Sequence, residues 1–354
     1  MTYLTSPASA KITIDDVARE AGVSKATVSR FLNRRDELLT PEIAERVRAA
    51  VAQLGYAPSP MAQALKRGRS HLIGLVVADV TNPFSVAVLC GVEKACREAG
   101  YMVMLFNLGN DGAREREAIK ALSSYQVEGF ILNALGHDAL ALNEATQRGK
   151  PVVLVDRRLG GTQLDLVELD NASAVRLAAE HLVGAGYRHL LFVSESMKGV
   201  SSREERAAAF SAFVASPAAA CTGTIFESMA GHSDDTNHAL DDALRALKQR
   251  TAGEGPPAVL AANAVITLRI VAAAARLGWT LGVDLGLVGF DDPEWAPLIG
   301  PGLTTIAQPT DDMGRLAVRC LIDRIEGGVM PPQQILLPGQ LMARGSSRRN
   351  LPGA

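Results

Sequence analysis

The chain of 354 residues is poor in cysteine, with four that are scattered along its length: Cys90, Cys96, Cys221 and Cys320. Their spacing fits no zinc or haem-attachment pattern, so we expect reduced, buried cysteines that pack as small hydrophobic side chains. Runs of about 18 or more apolar residues are absent, and no transmembrane helix is predicted. The N-terminal segment MTYLTSPASA lacks the basic start and apolar core of a secretory signal. These absences predict a cytoplasmic protein that does not act at a membrane.

Signatures of enzymes are absent as well. The motifs VDRR and GFDD supply carboxylates, but no nucleophile–base pair and no cluster of metal ligands accompanies them. The glycine-containing segments DDGAREREA and GVSS match neither phosphate-binding glycine pattern. We therefore predict that the protein is not an enzyme, has no catalytic residues and requires neither a metal nor another cofactor.

The two signs of charge are nearly balanced overall but unevenly distributed. The chain has 36 basic and 38 acidic side chains, a net charge of −2. Residues 1–70 hold eleven basic and seven acidic side chains, a net charge of +4, whereas the rest of the chain carries −6. A basic segment on an acidic body indicates a head that binds nucleic acid.

Three short helices are predicted near the start of the chain. Thr13 can cap the helix IDDVAREA, which Gly22 ends, and Ser24 can cap the next helix, KATVSRFLN. Pro41 takes the first position of a third helix, PEIAERVRAAVAQLG, which ends at Gly55. The apolar spacing turns these side chains inward: Val17, Ala18, Val28, Phe31, Leu32, Ile43, Val47, Val51 and Leu54. Two helices joined by the tight turn AGVS and braced by a third form a helix-turn-helix unit.

The outer face of the second helix is short, polar and varied, as a helix that enters the DNA major groove requires. Lys25 and Ala26 lie at its start and Arg30 lies one turn later, so we predict that these three side chains read base edges. The alternative is an ordinary three-helix surface with solvated charges. Hydroxyl groups beside them, such as those of Thr27 and Ser29, suit phosphate contacts. The full set of DNA contacts predicted for this head is Thr13, Ser24, Lys25, Ala26, Thr27, Ser29, Arg30 and Asn33.

These segments resemble a known family. ITIDDVAREAGVSKATVSRFLN, followed by LLTPEIAERVRAAVAQLGYAPSPMAQALKRGRS, is similar to the head of the lactose-repressor family, which includes the lactose, galactose and purine repressors. The resemblance continues through IGLVVADVTNPF, LVDRR, LVGFDD and LTTIAQP, so it covers essentially the whole chain. It implies a sequence-specific transcriptional repressor that binds double-stranded operator DNA as a homodimer and responds to a small effector.

A linker follows the head, which is expected at residues 11–57. The linker, residues 58–70, contains MAQALKR, which favours a helix but is shorter than the roughly 12–15 residues that an isolated helix needs. The resemblance implies a hinge helix that folds on DNA, with Leu65 as a wedge in the minor groove and Lys66 beside it. A plain flexible linker is the alternative.

From residue 72 the sequence alternates between apolar strands and helices. LIGLVVADV, YMVMLFNLG and PVVLVD are typical of strands, and FSVAVLCGVEKACREAG is typical of a helix. Such alternation favours βαβ units with a parallel sheet. A second series runs from NASAVRLAAEHLVGAG to DLGLVGFDD. The expectation is an α/β fold, with an N-terminal all-α helix-turn-helix head and a two-lobed body with parallel sheets. The resemblance implies that this body is like a periplasmic binding protein.

The body is predicted to span residues 71–345. Lobe 1 is expected at about 71–169 and 303–330, and lobe 2 at about 170–302 and 331–345. This division follows from the resemblance, which implies that LTTIAQP and the helix DDMGRLAVRCLIDRI return to lobe 1.

Ligands of such sheets bind outside the carboxyl ends of the strands. Polar candidates follow several strands: Asp79, Asn82, Asp156, Arg157, Asn263 and Asp291. The resemblance assigns effector-binding roles to Phe84, Ser85, Asp156, Arg206, Asn263 and Asp291. One departure is that Asn263 is followed by Ala264, where the family usually has Asn-Asp.

A narrower resemblance implies the effector class. LLTPEIAERVRAAVAQLGYAPSPMAQALKRGRS and NPFSVAVLCGVEKACREAGYMVMLFNLGN look like repressors of 2-ketogluconate utilisation. They imply a sugar or sugar-acid effector, with 2-ketogluconate as the candidate, whose carboxylate Arg206 would neutralise. A two-lobed sugar-binding protein of the transport type shares this body and is the alternative. The helix-turn-helix and the missing secretion signal argue against it, and retardation of duplex DNA in a gel would discriminate the two.

Overall fold

The computed structural model describes residues 12–33, 38–57, 69–133, 146, 149–229 and 234–349. The chain separates into two compact units, Met1–Ser70 and His71–Ala354. The first unit contains the head, and the second contains the body. Within the described residues, no helix is both long and apolar enough to cross a membrane.

The head consists of three helices: α1 Ile14–Ala21, α2 Lys25–Leu32 and α3 Pro41–Leu54. Thr13 and Asp16 cap α1 reciprocally, each side chain bonding the backbone N–H of the other residue. Gly22 ends α1 with φ of 61°, in the left-handed region that glycine adopts without steric cost. The caps and stops predicted from the sequence are confirmed.

The three helices enclose a small apolar core. Val17, Val28 and Val47 are fully buried and bring one side chain from each helix into contact. The remaining predicted inward residues are buried or partly buried around them: Ala18, Phe31, Leu32, Ile43, Val51 and Leu54. Helical periodicity therefore identified the buried side of each helix correctly.

The body is built from the following helices: α4 Pro83–Glu98, α5 Arg114–Ser124, α6 Asn171–Gly184, α7 Ser201–Ala215, α8 Asp234–Arg250, α9 Ala264–Leu277 and α10 Thr310–Ile325. Short 3-10 helices occur at Pro217–Ala219, Ala296–Leu298 and Gly345–Ser347. The strands are β1 Leu72–Val77, β2 Met102–Asn107, β3 Gly129–Leu132, β4 Val152–Val155, β5 Asp165–Leu169, β6 His189–Ser194, β7 Thr222–Glu227, β8 Ala258–Ala261, β9 Gly286–Phe290, β10 Thr304–Ala307, β11 Gln334–Leu337 and β12 Gln340–Met342.

The strands form two sheets, one in each lobe. Within the described residues, the order is β11-β5-β4-β3-β1-β2 in lobe 1 and β12-β10-β9-β8-β6-β7 in lobe 2. All neighbours are parallel except β10 and β12. The interior strands are almost wholly buried, whereas the edge strands β2, β7, β11 and β12 are partly exposed. Helices cover both faces of a parallel sheet, so its interior strands are apolar on both sides.

The predicted division of the body into lobes is wrong near the C-terminus. Strand β10 pairs with β9 in lobe 2, and only the helix after it, α10, packs on lobe 1. Strand β11 pairs with β5 in lobe 1, and the chain reaches lobe 2 again only at β12. The chain therefore crosses between the lobes three times, after β5, after β10 and after β11. A short apolar strand shows that it is buried but not which sheet it joins, so the sequence could not locate these crossings.

The cysteine prediction holds only in part. All four thiols are free, but only Cys96 is buried; Cys90 is exposed, and Cys221 and Cys320 are half-buried. Cys90 and Cys96 both lie on α4, and six residues at 3.6 per turn place them on different sides of the helix. Burial raises the pKa of the Cys96 thiol to about 12, which keeps it protonated and unreactive at neutral pH.

Candidate operator and effector sites

The outer side of α2 is polar and accessible. Lys25, Ala26 and Arg30 are exposed there, whereas Val28 on the other side is fully buried. Ser24 caps this helix, so its first turn is held in place without help from a ligand. The three side chains predicted to read bases thus lie together on one accessible face.

Other predicted DNA contacts already make local hydrogen bonds. The Thr13 hydroxyl accepts from a backbone N–H of α1 at 3.4 Å, and the Ser24 hydroxyl accepts from Thr27 N–H at 3.2 Å. Asn33 Nδ2 donates to the carbonyl oxygen of Ser29 at 2.6 Å. These bonds account for the polar residues at the helix ends without DNA, and their contacts with phosphate stay a prediction. The predicted wedge, Leu65, and its neighbour Lys66 lie outside the described residues.

Two further residues shape this face, and the sequence reasoning missed both. Asp15 Oδ2 lies 2.8 Å from Lys25 Nζ, and both side chains are exposed. Exposed ion pairs contribute about 0–1 kcal/mol, so Lys25 can leave Asp15 for DNA at small cost. Arg46 donates to the carbonyl oxygens of Ala21 and Gly22 and so braces the turn between α1 and α2. Asp15 and Arg46 are ten or more residues distant in sequence from the groups they bind, so no local pattern predicted these contacts.

In the body, the carboxyl ends of the strands carry two acids in the same backbone conformation. Asp156 follows β4 in lobe 1 with φ of 66°, and Asp291 follows β9 in lobe 2 with φ of 69°. Aspartate is among the few residues that tolerate this left-handed region. Both side chains are buried.

Arg206 on α7 is buried close to both acids. Its Nε donates to Asn171 Oδ1 at 2.8 Å and its Nη1 to the carbonyl oxygen of Ala262 at 2.6 Å. Its guanidinium carbon lies 4.1 Å from the ring centroid of Phe290, a favourable cation–π distance. Burial lowers the pKa of Arg206, while the nearby carboxylates of Asp156 and Asp291 oppose that change.

The acids are held by different groups. Asp156 Oδ2 accepts from Asn133 Nδ2 and from the Ser202 hydroxyl, each at 3.3 Å, and Oδ1 lies 4.0 Å from Arg206 Nη2. Asn133 and Asp156 belong to lobe 1, whereas Ser202 and Arg206 belong to lobe 2. The carboxylate of Asp156 therefore links the two lobes, and Asn133 and Ser202 are site residues that the sequence reasoning did not include.

Asp291 is anchored within lobe 2. Its Oδ1 accepts from Gln308 Nε2 at 2.6 Å and its Oδ2 from Ala264 N–H at 3.1 Å. Gln308 Oε1 also lies 3.4 Å from Arg206 Nη2, so this amide bridges the acid and the guanidinium. Burial raises the pKa of the Asp291 carboxyl, and Arg206 together with these hydrogen bonds opposes the rise. Gln308, which lies after β10, could not be recognised until that strand was placed in lobe 2.

Not every predicted cleft residue joins this group. Phe84 and Ser85 are buried in the first turn of α4, which Asn82 caps, and among the described residues neither is hydrogen-bonded to the Arg206 group. The Asp79 carboxylate accepts hydrogen bonds from Thr81 in its own loop and, at 2.7 Å, from Asn110 Nδ2. Effector roles for Phe84 and Ser85 therefore stay predictions.

A second set of contacts ties the lobes together beside the site. Arg158 of lobe 1 donates its backbone N–H to the Ser201 hydroxyl of lobe 2 at 2.8 Å. Its guanidinium lies 2.9 Å from Glu168 in lobe 1 and 3.3 Å from Glu205 on α7. Burial raises the pKa of the fully buried Glu168. These contacts stabilise one arrangement of the lobes and would have to change if the lobes move.

The chemistry that this arrangement supports is binding. A guanidinium supplies planar, paired hydrogen-bond donors, and carboxylates accept from hydroxyl groups. Within the described residues, no group of three or more histidine, cysteine or acidic side chains could hold a metal ion. Donors and acceptors that converge from both lobes suit a small polyhydroxylated ligand.

Comparisons with known proteins bear on both units. A model of bacterial regulatory proteins of the lacI family matches residues 13–59, and a periplasmic binding protein-like domain matches residues 179–347. The HTH-type transcriptional regulator PtxS of Pseudomonas plecoglossicida is 46% identical over 347 residues, 98% of this chain and 99% of that protein. The HTH-type transcriptional regulator KdgR of Bacillus subtilis is 40% identical over 336 residues, 94% of this chain and 97% of that protein.

A solved structure agrees over both units. The crystal structure of the lac repressor dimer bound to operator and the anti-inducer ONPF is 25% identical, with a TM-score of 0.79 over 95% of this chain and 99% of that chain. The helix-turn-helix head and the two-lobed body with parallel sheets are thus shared with a known regulator, and the sequence relatives match at nearly full length. This chain belongs to the LacI family of bacterial transcriptional regulators.

Proposed function

We propose that this regulator is a repressor that binds double-stranded operator DNA as a homodimer and responds to a sugar or sugar acid, with 2-ketogluconate as the first candidate. The observation that supports it most is Arg206, buried between the carboxylates of Asp156 and Asp291 at the strand ends of the two lobes. The matched lac repressor, a dimer on its operator, supports the DNA and dimer assignments. The proposal includes a cytoplasmic location and no catalytic activity.

Effector control follows from the position of the site between the lobes. A ligand that contacts both Asp156 of lobe 1 and Arg206 of lobe 2 favours the lobe arrangement in which both side chains reach it. The effector can change operator affinity only to the extent that it binds one lobe arrangement more tightly than the other. The coupling free energy between two such sites is typically about 1–3 kcal/mol. The linkage is reciprocal, so operator DNA must change effector affinity by the same factor.

Two measurements test the proposal. Retardation of a DNA fragment from upstream of the protein's own gene, with and without 2-ketogluconate, tests operator binding and its control. Calorimetric titration with 2-ketogluconate, gluconate and glucose tests the effector class. Failure to retard any upstream fragment under either condition, combined with tight sugar binding, would support a sugar-binding protein of the transport type instead.

Base reading by α2 can be tested at Arg30. Arginine binds guanine in the major groove through two parallel hydrogen bonds, and we expect Arg30→Ala to weaken operator binding by about 1–3 kcal/mol. The loss should relax the base preference at one position of each half-site, which binding to a set of single-base operator variants would show. Arg19→Ala is the matched control, because Arg19 is exposed on α1 and its loss removes the same charge.

The contrary result for Arg30 is equally clear. Equal weakening of specific and non-specific DNA binding by Arg30→Ala would show that Arg30 contacts only phosphate, because phosphate contacts carry no sequence information. In that case, base reading would have to be assigned to other side chains of the same face.

A further inference from the structure

Glu195 lies at the carboxyl end of β6 and was not among the residues predicted to bind the effector. Its Oε2 accepts from Arg203 Nη2 and, at 3.0 Å, from Asn263 Nδ2. Its Oε1 lies 4.0 Å from Arg269 Nη2, and among the described residues no donor is hydrogen-bonded to Oε1. The exposed fraction of the Glu195 side chain is 18%. One carboxylate oxygen is therefore committed to the protein, while the other can still accept hydrogen bonds.

Asn263, one of the residues that the family resemblance assigned to the effector, makes hydrogen bonds with other groups of the protein. Its Oδ1 accepts from Ile266 N–H at 2.9 Å and so caps α9. Its Nδ2 donates to Glu195. Asn263 thus orients the carboxylate of Glu195, and its own oxygen already accepts one hydrogen bond from α9.

Glu195 also lies beside the Arg206 group. Strands β6 and β8 are paired neighbours, with Val193 opposite Ala261, so the residues that follow them lie close together. Ala262, whose carbonyl oxygen binds Arg206, directly precedes Asn263. In lobe 1, burial lowers the pKa of Arg157, and the charges of Asp156 and Glu195 oppose that change.

We propose that Glu195 is a specificity-determining residue that accepts a hydroxyl hydrogen of the effector through Oε1. The inference rests on the proposed function and narrows it to polyhydroxylated acids that present a hydroxyl group to lobe 2. Arg203 and Arg269 flank this carboxylate, and a charged acceptor bonds a hydroxyl more strongly than a neutral one. A site built to bond a hydroxyl rejects an analogue that lacks it, because the acceptor is then left without a partner.

A purely electrostatic role of Glu195 predicts the opposite change in effector affinity. If Glu195 merely neutralised the arginines, it would repel an acidic effector, and its replacement by glutamine would strengthen binding. The direct hydroxyl contact predicts that Glu195→Gln weakens binding of 2-ketogluconate by about 10- to 100-fold, as expected for loss of a hydrogen bond to a charged group. The two roles are therefore separated by the direction of a single measured change.

The experiment is calorimetric titration of the full-length protein with 2-ketogluconate and with deoxy analogues that each lack one hydroxyl group. For wild type, we expect one analogue to bind about 10- to 100-fold more weakly than 2-ketogluconate. For Glu195→Gln, the single amide oxygen must face the donors Arg203 Nη2 and Asn263 Nδ2, so an NH2 group replaces the Oε1 acceptor. We therefore expect that same analogue to show no further loss with this variant. Glu180→Gln on the exposed side of α6 is the matched control and should bind like wild type.

Several outcomes overturn the inference. Unchanged or tighter binding of 2-ketogluconate by Glu195→Gln excludes the contact, and equal losses for every deoxy analogue show that Glu195 only positions its neighbours. Thermal unfolding shows whether each variant is folded. Glu195→Asp keeps the charge but has a shorter side chain, and this second variant should show the same loss of affinity for 2-ketogluconate. If wild type binds none of the sugar acids, the proposed effector class itself fails, a result distinct from failure at Glu195 alone.

Discussion

Arg206→Ala is expected to abolish the response to effector while leaving operator binding intact. The affinity for 2-ketogluconate should fall by about 30-fold or more, since removal of one partner of a buried, hydrogen-bonded charge pair costs about 2–5 kcal/mol. The variant would then be a repressor that stays on its operator at effector concentrations that release wild type. If the effector promotes DNA binding instead, the variant would fail to show that enhancement.

The physical reason lies in the partners of the guanidinium. Arg206 Nη2 lies 4.0 Å from the buried carboxylate of Asp156, and its charge also acts on the buried carboxylate of Asp291. Its loss removes a cation that acts on both acids, although Arg157 Nε stays 3.5 Å from Asp156 Oδ2. A negatively charged effector would then meet uncompensated negative charge in a site with little water, where Coulomb interactions are strong. Arg206→Lys restores the charge but not the planar pair of donors, and it should recover only part of the affinity.

Calorimetric titration and DNA retardation on the same preparations check this prediction. Arg176→Ala, a change at an exposed arginine of α6, removes the same charge and serves as the control. Effector affinity of Arg206→Ala within about threefold of wild type would show that Arg206 is structural and not a ligand. Equal affinity of wild type for 2-ketogluconate and for a neutral parent sugar would count against charge pairing with the effector.

Gly314→Ala is expected to destabilise the body by about 1–3 kcal/mol or more, because it overpacks a contact between two helix backbones. A Cβ atom at Gly314 of α10 would lie 2.5 Å from the backbone nitrogen of Val92 and 2.8 Å from the carbonyl oxygen of Val88 on α4. Gly91 lies on the other side of this contact, where an added Cβ would lie 2.7 Å from the carbonyl oxygen of Asp311. Backbone atoms cannot move aside as a flexible side chain can, so the helices must separate.

The measurement is the free energy of unfolding from urea titration. Gly184→Ala is the matched control, because Gly184 also lies in a helix and a Cβ there would have no atom within 4 Å apart from the adjoining backbone of its own helix. The control should be neutral or gain roughly 0.5–1 kcal/mol, as alanine does in helices. A Gly314→Ala variant as stable as its control would show that α4 and α10 are not packed this closely.

The parts of the protein that could be predicted from the sequence depend on neighbours within a few residues. The caps at Thr13 and Ser24 and the stop at Gly22 involve backbone groups of the same helix end, so their residue types predict them directly. Asp156 and Asp291 could be placed at strand ends because each directly follows an apolar run. The buried sides of the head helices followed from periodicity for the same reason.

What connects distant segments could not be predicted in this way. The residues that hold Arg206 and Asp291 include Asn171 and Gln308, each separated from the side chain it binds by 17 to 102 residues. Glu195 and Asn263 are 68 residues apart and meet only because β6 and β8 are neighbours in one sheet. A polar residue after a strand carries no information about which other strand end it will face.

By itself, the sequence determined that this chain has a helix-turn-helix head and a two-lobed α/β body, because these features follow from local hydrogen bonds, periodicity and motif order. Only the tertiary structure decided that β10 belongs to lobe 2 and β11 to lobe 1, and that Glu195 contacts Asn263. Strand pairing depends on how whole apolar faces fit together, and side-chain clusters depend on that pairing. Neither is encoded in any short stretch of residues.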